Sequence, residues 1–136
     1  SATDRRLFAI AQYLKDGHSV DEIHDLSHID KWFLHHLKEM VDFEVDFNTE
    51  TVNAASIRQA KRLGFSDRAL ATKLGSNEQN FRKMRLSHGI APFVKQIDTL
   101  AGEFEAETNY LYVTYHGQIH DLSPSVDPAM LVIGSG

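Results

Sequence analysis

Pro92 is the residue that most constrains how this 136-residue chain can fold, because the sequence follows different patterns on its two sides. Proline lacks a backbone N–H and biases the preceding residue towards an extended conformation, so a helical pattern upstream must end here. Downstream, the apolar residues between Phe93 and Phe104 recur too irregularly for a strand, whereas Tyr110 to Tyr115 has the aromatic and β-branched composition of one. We therefore predict helices up to Gly89, an extended apolar segment packed across them, and then a strand.

Before Pro92, apolar periodicity and capping residues predict six short helices. The first spans about residues 4–16 after a Thr3 cap, the second follows a Ser19–Glu22 capping box, and the third spans about 31–47 after an Asp30 cap. The fourth spans about 52–63, the fifth follows a Ser66 cap, and the sixth follows a Ser76–Gln79 capping box. The buried stripe of the third helix is predicted to be Phe33, Leu37, Met40 and Val41, with Trp32 beside it.

An internal repeat runs through these helices. The repeat pairs Ile10, Gly17, Ser19 and Ile23 with Ile57, Gly64, Ser66 and Leu70. It also pairs Phe33 with Phe81 if the spacing is lengthened there by one residue. Two copies are too few for a solenoid. The predicted fold class is therefore mainly α: a compact bundle of about six short helices with a pseudo-repeat, followed by an extended segment and one or two C-terminal strands.

The net charge of −5 hides a segregation of charge along the chain. Between Asp16 and Glu50, ten acidic residues stand against two lysines, a local balance of −8. Between Asn53 and Gly89, eight basic residues stand against two acidic ones, a balance of +6. Such surfaces attract each other or a partner of opposite sign. No apolar run approaches the length of a membrane helix, and the absence of cysteine excludes a disulfide or a thiolate zinc site.

The basic stretch leaves a second function open, a helix-turn-helix nucleic-acid-binding domain that uses residues 64–88. Gly64 to Ser76, followed by Phe81 to Arg85, resembles a helix, a glycine-containing turn and a basic second helix that could enter a major groove. The same pattern also joins short helices in proteins that bind no DNA.

Three histidine pairs and one aspartate are the remaining polar candidates. The pairs are His24 with His28, His35 with His36, and His116 with His120, and exposed or capping roles are favoured over metal binding because no glutamate completes a ligand set. Asp98 lies among apolar neighbours, so a buried carboxylate that anchors the extended segment is favoured over a proton donor.

The last residues combine a polar connector, 116–128, with an apolar strand, Met130 to Ile133, that runs into Gly134-Ser135-Gly136. A strand before a glycine-rich turn is how nucleotide-binding α/β units begin, but no helix follows in this sequence to offer its N-terminus to phosphate.

Several motifs of the chain resemble one family. Val94 to Ala101, Glu103-Phe104 and Thr108 to Tyr112 are similar to the segment that closes the oligomerisation domain of the large synthetase component of carbamoyl-phosphate synthetase. Further similar motifs, in the family's order, are Asp4 to Ala9, Ile29 to Leu34 and Gly64 to Asp67. Tyr115 to Gln118, followed by His120-Asp121, resembles the eukaryotic rather than the bacterial versions.

The resemblance implies that residues 1–115 are a helical oligomerisation or connecting domain and that 116–136 are a connector and the first strand of a following ATP-grasp half. It implies a non-catalytic scaffold between a half that makes carbamate from bicarbonate and ammonia and a half that phosphorylates it. The parent would consume ATP with Mg²⁺, using glutamine or ammonia, and would serve pyrimidine or arginine and urea synthesis. No catalytic, cofactor or metal residue is expected in this segment.

The partners implied are the flanking halves and a second copy of the chain, without a membrane. The location implied is the cytoplasm, or the mitochondrion for a urea-cycle parent. The side chains expected to anchor the bundle and its closing segment are Trp32, Phe33, Phe93, Ile97, Asp98, Leu100, Phe104, Tyr110 and Tyr112.

Overall fold

The computed structural model describes residues 4–98, 101–104 and 110–122, and the chain divides into two compact units between Ile90 and Ala91. The first unit contains six helices and the second contains a two-stranded sheet, which confirms the predicted fold class. The boundary predicted after Tyr115 is a different one, between this domain and a following half, and it stays a prediction.

The helices are short and closely follow one another. Their bounds are α1 Arg6–Lys15, α2 Val20–Ser27, α3 Lys31–Asp46, α4 Ala54–Arg62, α5 Asp67–Lys73 and α6 Glu78–Ser87. Both α1 and α2 pack against α3, and α5 packs against α6. These contacts between neighbouring helices bury their apolar faces.

Three of the predicted caps are confirmed. Ser19 and Glu22 form a reciprocal capping box at α2, Asp30 accepts a hydrogen bond from the Trp32 N–H, and Ser66 accepts one from the Ala69 N–H. Each satisfies a backbone donor that a helix start leaves without an intrahelical partner.

The other helix starts differ from the predictions. The helix α1 begins after Arg5, which makes no side-chain cap hydrogen bond, and the predicted cap Thr3 lies outside the described residues. Asn53 caps α4 and moves its start to Ala54, and Asn77, not Ser76, caps α6. Asparagine and serine are both good caps, so local sequence does not choose between neighbours.

The internal repeat is present and its spacing is a constant 47 residues. Buried pairs at this spacing are Ile10 with Ile57, Ile23 with Leu70, and Leu34 with Phe81. The turn glycines and helix caps follow the same spacing: Gly17 with Gly64, Ser19 with Ser66, and Asp30 with Asn77. The predicted pairing of Phe33 with Phe81 was therefore wrong, because the spacing holds without a slip.

The buried face of α3 differs from the predicted stripe at its first position, where Leu34 rather than Phe33 is buried. Leu34 and Val41 are buried, whereas Phe33 is 58% exposed. Leu34 joins the apolar cores of α1 and α2, because an i, i+3, i+7 stripe through Leu37 and Val41 faces those helices. Phe33 lies on the neighbouring stripe instead.

Lys61, Asp67 and Arg85 form an ion cluster inside the second repeat. Asp67 Oδ1 lies 2.9 Å from Lys61 Nζ, and Asp67 Oδ2 lies 2.8 Å from Arg85 NH2. Arg85 is only 4% exposed. Arg85 NH1 also donates to the Ile90 carbonyl at 2.6 Å, and Lys61 Nζ donates to the Phe65 carbonyl at 2.6 Å. The cluster therefore ties α4, α5 and α6 to the end of the helical unit.

The first repeat has apolar side chains at two of these positions. At the spacing of 47 residues, Leu14 corresponds to Lys61 and Val20 corresponds to Asp67, and both Leu14 and Val20 are buried. The same place in the fold thus accepts either an apolar pair or an ion cluster.

The electrostatic environment lowers the pKa of Asp67. Burial raises this pKa, but hydrogen bonds from Arg85 and Lys61 outweigh the effect and bring it below the ordinary value of 3.8. A carboxyl group with a lower pKa in the folded state stabilises the fold above its unfolded pKa, and that stability is lost as the pH falls through the folded pKa.

The second unit is built on an antiparallel pair of strands, β1 Phe93–Gln96 and β2 Leu111–Thr114, in which Phe93 lies opposite Thr114. The prediction that the segment after Pro92 holds no strand was therefore wrong for its first four residues. Their apolar spacing is irregular, but backbone pairing with β2 supplies the hydrogen bonds that make a strand.

Residues 117–121, here called the strap, cover the other edge of β1. The Val94 N–H donates to His120 Nδ1, the Gln96 N–H donates to Asp121 Oδ2, and the Asp121 N–H donates to the Val94 carbonyl. Lys95 forms an ion pair with Asp121, and this hydrogen bond, with that of the Gln96 N–H, lowers the pKa of the Asp121 carboxyl. The edge of β1 is thus closed by two side chains and one backbone N–H of the strap.

We expect Asp67→Val alone to lower the free energy of unfolding by about 3–5 kcal/mol, because it leaves two buried cations without a counter-charge. The triple variant Lys61→Leu, Asp67→Val and Arg85→Met removes the whole cluster and should recover most of that loss. Urea unfolding followed by circular dichroism measures both.

The pH dependence supplies the control. Below about pH 5 the wild-type chain should lose more stability than the triple variant, because only the wild type protonates Asp67. Equal losses for the single and triple variants at pH 7 would contradict an explanation by unpaired charge.

We expect Gly117→Ala to open the strap. A Cβ atom at Gly117 would lie 2.8 Å from Phe93 Cβ, which cannot rotate away. The strain should speed hydrogen exchange of the Val94 and Gln96 amides by about tenfold or more, since overpacking costs about 1–3 kcal/mol. Gln118→Ala, at the exposed neighbour, is the matched control and should leave both exchange rates unchanged.

Candidate functional site

The clearest surface feature of the helical unit is an apolar groove between α1 and α3. Its volume is about 470 Å³. The apolar side chains that line it are Leu7, Ile10, Ile29, Phe33, Leu37 and Met40, and Asp4, Arg6 and His36 line its rim. Arg6 is held there because its NH2 donates to the Ser27 carbonyl at 2.6 Å.

Large apolar side chains remain in water around this groove. The exposed fraction is 53% for Leu7 and 58% for Phe33, which line the groove, and 62% for Trp32, whose ring contacts that of Phe33. These three residues and the groove together are called the apolar face below. An exposed apolar patch rimmed by polar residues is typical of an interaction site.

Aromatic contacts hold one corner of the apolar face in a fixed arrangement. The Trp32 ring lies edge-on to Phe33 at a centroid distance of 4.9 Å and edge-on to His36 at 4.4 Å. Edge-to-face geometry is favourable for such rings, so these side chains are ordered before any partner arrives.

The predicted anchors are mostly exposed. Besides Trp32 and Phe33, the exposed ones are Ile97, Phe104, Tyr110 and Tyr112, with Phe104 at 74%. The burial predicted for Phe33, Ile97 and Phe104 was therefore wrong. A two-stranded sheet has too little area to cover both of its faces, which leaves Tyr112 exposed. Phe93 is half-buried and its ring lies 5.3 Å from that of His120. Whether these residues anchor the domain in a larger protein stays a prediction.

Asp98 is also exposed, so its predicted burial was wrong. Its carboxylate lies near Gly102, in a turn where Ala101 and Gly102 both have positive φ. Leu100 lies outside the described residues.

His24 and His28 have structural roles at the end of α2. His24 Nδ1 lies 2.6 Å from the Ile29 carbonyl oxygen, and His28 ends α2 in the left-handed conformation with φ 57°. A second groove, of about 370 Å³, carries the acidic side chains Glu39, Asp42 and Asp46. Among residues 4–98, 101–104 and 110–122, no group of three or more His, Asp or Glu is placed to hold a metal ion.

The basic stretch does form helices separated by a glycine turn, α5 and α6. Two of its eight basic side chains, Lys61 and Arg85, are held in the ion cluster and turned away from solvent. The sequence did not predict that Lys61 and Arg85 share one cluster, because 24 residues separate them. No helix in the described part of the chain is long and apolar enough to cross a bilayer.

Comparison with known proteins places the chain in a family. The family model for the carbamoyl-phosphate synthetase large chain, oligomerisation domain, matches residues 1–89. The chain is 52% identical over 98% of its length to the multifunctional protein pyrABCN of Emericella nidulans. It is 44% identical over 96% of its length to the mitochondrial carbamoyl-phosphate synthase (ammonia) of Homo sapiens.

The same relatives are far longer than this chain. It spans 6% of the Emericella nidulans protein, 9% of the human one, and 12% of the mitochondrial arginine-specific large chain of Neurospora crassa, to which it is 45% identical. The matched model describes an oligomerisation domain, not a catalytic one, and nothing in these comparisons supports nucleic-acid binding. The motifs around Ile29, Gly64 and Tyr110 therefore indicated the right family, and the chain belongs to the carbamoyl-phosphate synthetase large chains as their oligomerisation domain.

Proposed function

We propose that this chain is the non-catalytic scaffold of a carbamoyl-phosphate synthase and fixes the relative placement of a carbamate-forming half and a carbamoyl-phosphate-forming half. The observation that carries the proposal is the coverage of the relatives: nearly all of this chain matches, over 6–12% of their length. A conserved stretch of that size within a much longer polypeptide is suited to positioning its neighbours. Residues 116–136 are proposed to begin the second half.

Two local features support a scaffold role. The ion cluster fixes the last residue of the helical unit through the Arg85 hydrogen bond to the Ile90 carbonyl. The strap fixes β1 through hydrogen bonds to three backbone groups. Directional bonds of this kind hold a chain at defined points, which is what a spacer between two catalytic halves requires.

ATP and Mg²⁺ are proposed as cofactors of the parent, not of this segment. The described residues contain no metal-binding group of three or more ligands. The glycine-rich end, residues 134–136, lies outside the described residues.

The parent is proposed to serve pyrimidine synthesis in the cytoplasm. Within Neurospora crassa, the chain is 50% identical to the multifunctional protein pyr-3 and 45% identical to the arginine-specific mitochondrial large chain, each over 98% of its length. The difference favours the multifunctional type over the arginine or urea type.

Self-association is proposed as a second role of the same domain, and the charge segregation favours it. The basic side chains Arg58, Arg62, Arg68, Lys73, Arg82 and Lys83 are exposed. So are nine of the ten acidic side chains between Asp16 and Glu50. The acidic repeat of one copy can therefore meet the basic repeat of another.

To test the scaffold role, residues 4–90 are replaced by a flexible Gly/Ser linker in the full-length synthase that carries this chain. Overall carbamoyl-phosphate synthesis should fall by about tenfold or more, because a flexible linker no longer fixes the placement of the halves. Bicarbonate-dependent ATP hydrolysis by one half and phosphoryl transfer between carbamoyl phosphate and ADP by the other should persist.

The corresponding domain of the Emericella nidulans protein, inserted at the same place, is the positive control and should restore synthesis. Full synthesis with the linker would show that the domain is not needed for coupling. Loss of a partial reaction would show that the segment contributes to the chemistry itself.

To test self-association, the molar mass of the isolated chain is measured by light scattering over a range of concentrations and salt. Oligomers should form at low salt and dissociate as salt rises, because the screening length falls from about 10 Å at 0.1 M to about 3 Å at 1 M. Arg82→Glu with Lys83→Glu should weaken association, while the neutral change Asn80→Ser on the same helix should not. A monomer under all conditions would confine the role to bridging within one polypeptide.

A further inference from the structure

The two repeats differ sharply on one equivalent surface. At the spacing of 47 residues, Leu7 of the apolar face corresponds to Ala54. Trp32 and Phe33 correspond to Gln79 and Asn80, and Ile29 and Met40 correspond to Ser76 and Ser87. These five large apolar side chains are matched by small or polar ones, whereas the groove residues Ile10 and Leu37 are matched by the apolar Ile57 and Met84.

The difference shows that the fold does not need the exposed side chains of the apolar face. The second repeat keeps the turn glycine, the helix caps and three buried residues, Ile57, Leu70 and Phe81, at the same spacing, yet carries small and polar side chains opposite Leu7, Trp32 and Phe33. Leu34 and Phe81, which occupy equivalent positions, are both buried in the core of their own repeat. The exposed aromatic residues of the first repeat therefore have a role other than folding this unit.

We infer that the apolar face is the docking surface for an apolar patch on another part of the same polypeptide, a flanking half of the synthase. This inference rests on the proposed function. The chain spans only 6–12% of the length of its relatives, so most of the polypeptide lies outside it and is available as a partner. The groove accepts protruding apolar side chains, and the ordered Trp32, Phe33 and His36 rings form an aromatic anchor at its edge.

A second copy of the chain fits this surface poorly. The apolar face belongs to the repeat that contains the acidic stretch from Asp16 to Glu50, with its local balance of −8. Two such surfaces meeting face to face would bring two strongly acidic repeats together, and like charges at an interface oppose association. The self-association proposed above uses opposite charges instead, so it leaves the apolar face open to a flanking half.

Hydroxyl-radical footprinting tests the inference without any substitution. Oxidation of the peptide that carries Trp32 and Phe33 is compared between the 136-residue chain and the full-length synthase. The expected result is several-fold lower oxidation in the synthase, because both rings are more than half exposed in the chain and become covered. Equal oxidation in the two proteins would overturn the inference.

Substitutions copied from the second repeat sharpen the test. Leu7→Ala with Phe33→Asn places the residues of Ala54 and Asn80 on the apolar face. The melting temperature of the isolated chain should change by less than about 4 °C, as for other exposed positions. In the synthase the same pair should raise Trp32 oxidation to the level of the isolated chain. Asn80→Ala, at the equivalent position of the second repeat, is the matched control and should leave Trp32 protected.

Three other outcomes would also overturn the inference. Unfolding of the isolated double variant would show that the face is part of the core. Unchanged protection of Trp32 in the double variant would show that another surface covers it. A dimer of the isolated chain that the double variant abolishes would assign the face to a second copy. If Trp32 is protected but the linker replacement leaves synthesis intact, the docking inference stands and the scaffold role is wrong. If Trp32 stays exposed in the synthase and the linker replacement abolishes synthesis, the scaffold role stands and the docking inference is wrong.

Discussion

Short helices keep their shape only by burying a few side chains against their neighbours, and this constraint governs the helical unit. The helices run from 7 to 16 residues, whereas isolated helices shorter than about 12–15 residues are marginal in water. Side chains such as Ile57, Leu34 and Phe81 are almost fully buried and supply the missing stability. Since three buried positions recur at a spacing of 47 residues, both repeats meet the constraint with the same central side chains, and their surfaces are free to differ.

The two repeats also differ in the side chains that they bury. Where the first repeat buries Leu14 and Val20, the second buries charge at Lys61 and Asp67. Apolar burial is non-directional, whereas the ion cluster places hydrogen bonds at fixed points, including the Ile90 carbonyl at the end of the unit. The added stability is small because desolvation opposes the attraction of the charges. The gain is a fixed position for the chain as it leaves the helices.

Features that depend on neighbouring residues could be predicted from the sequence, and features that depend on distant ones could not. The caps Ser19, Asp30 and Ser66 were predicted because a cap and its backbone partner lie two or three residues apart. The strand β1 and the pairing of Asp67 with Arg85 were not, since the partners of β1 lie at least 15 residues away and those two side chains lie 18 residues apart. The spacing of the repeat was the one long-range signal present: kept strictly, it pairs Leu34 with Phe81 and marks Phe33 as a surface residue.

The misplaced anchors show what apolar composition can and cannot indicate. Trp32, Phe33 and Phe104 are large apolar side chains, and all three are more than half exposed in this chain. Composition gives no information on whether a surface that would cover them lies in the same domain. In a chain that is about a tenth of its relatives' length, a large share of the surface belongs to contacts with the rest of the polypeptide. The polar counterparts of Trp32 and Phe33 in the second repeat, Gln79 and Asn80, are the reason to separate these two side chains from the core and to propose that they form half of an interface.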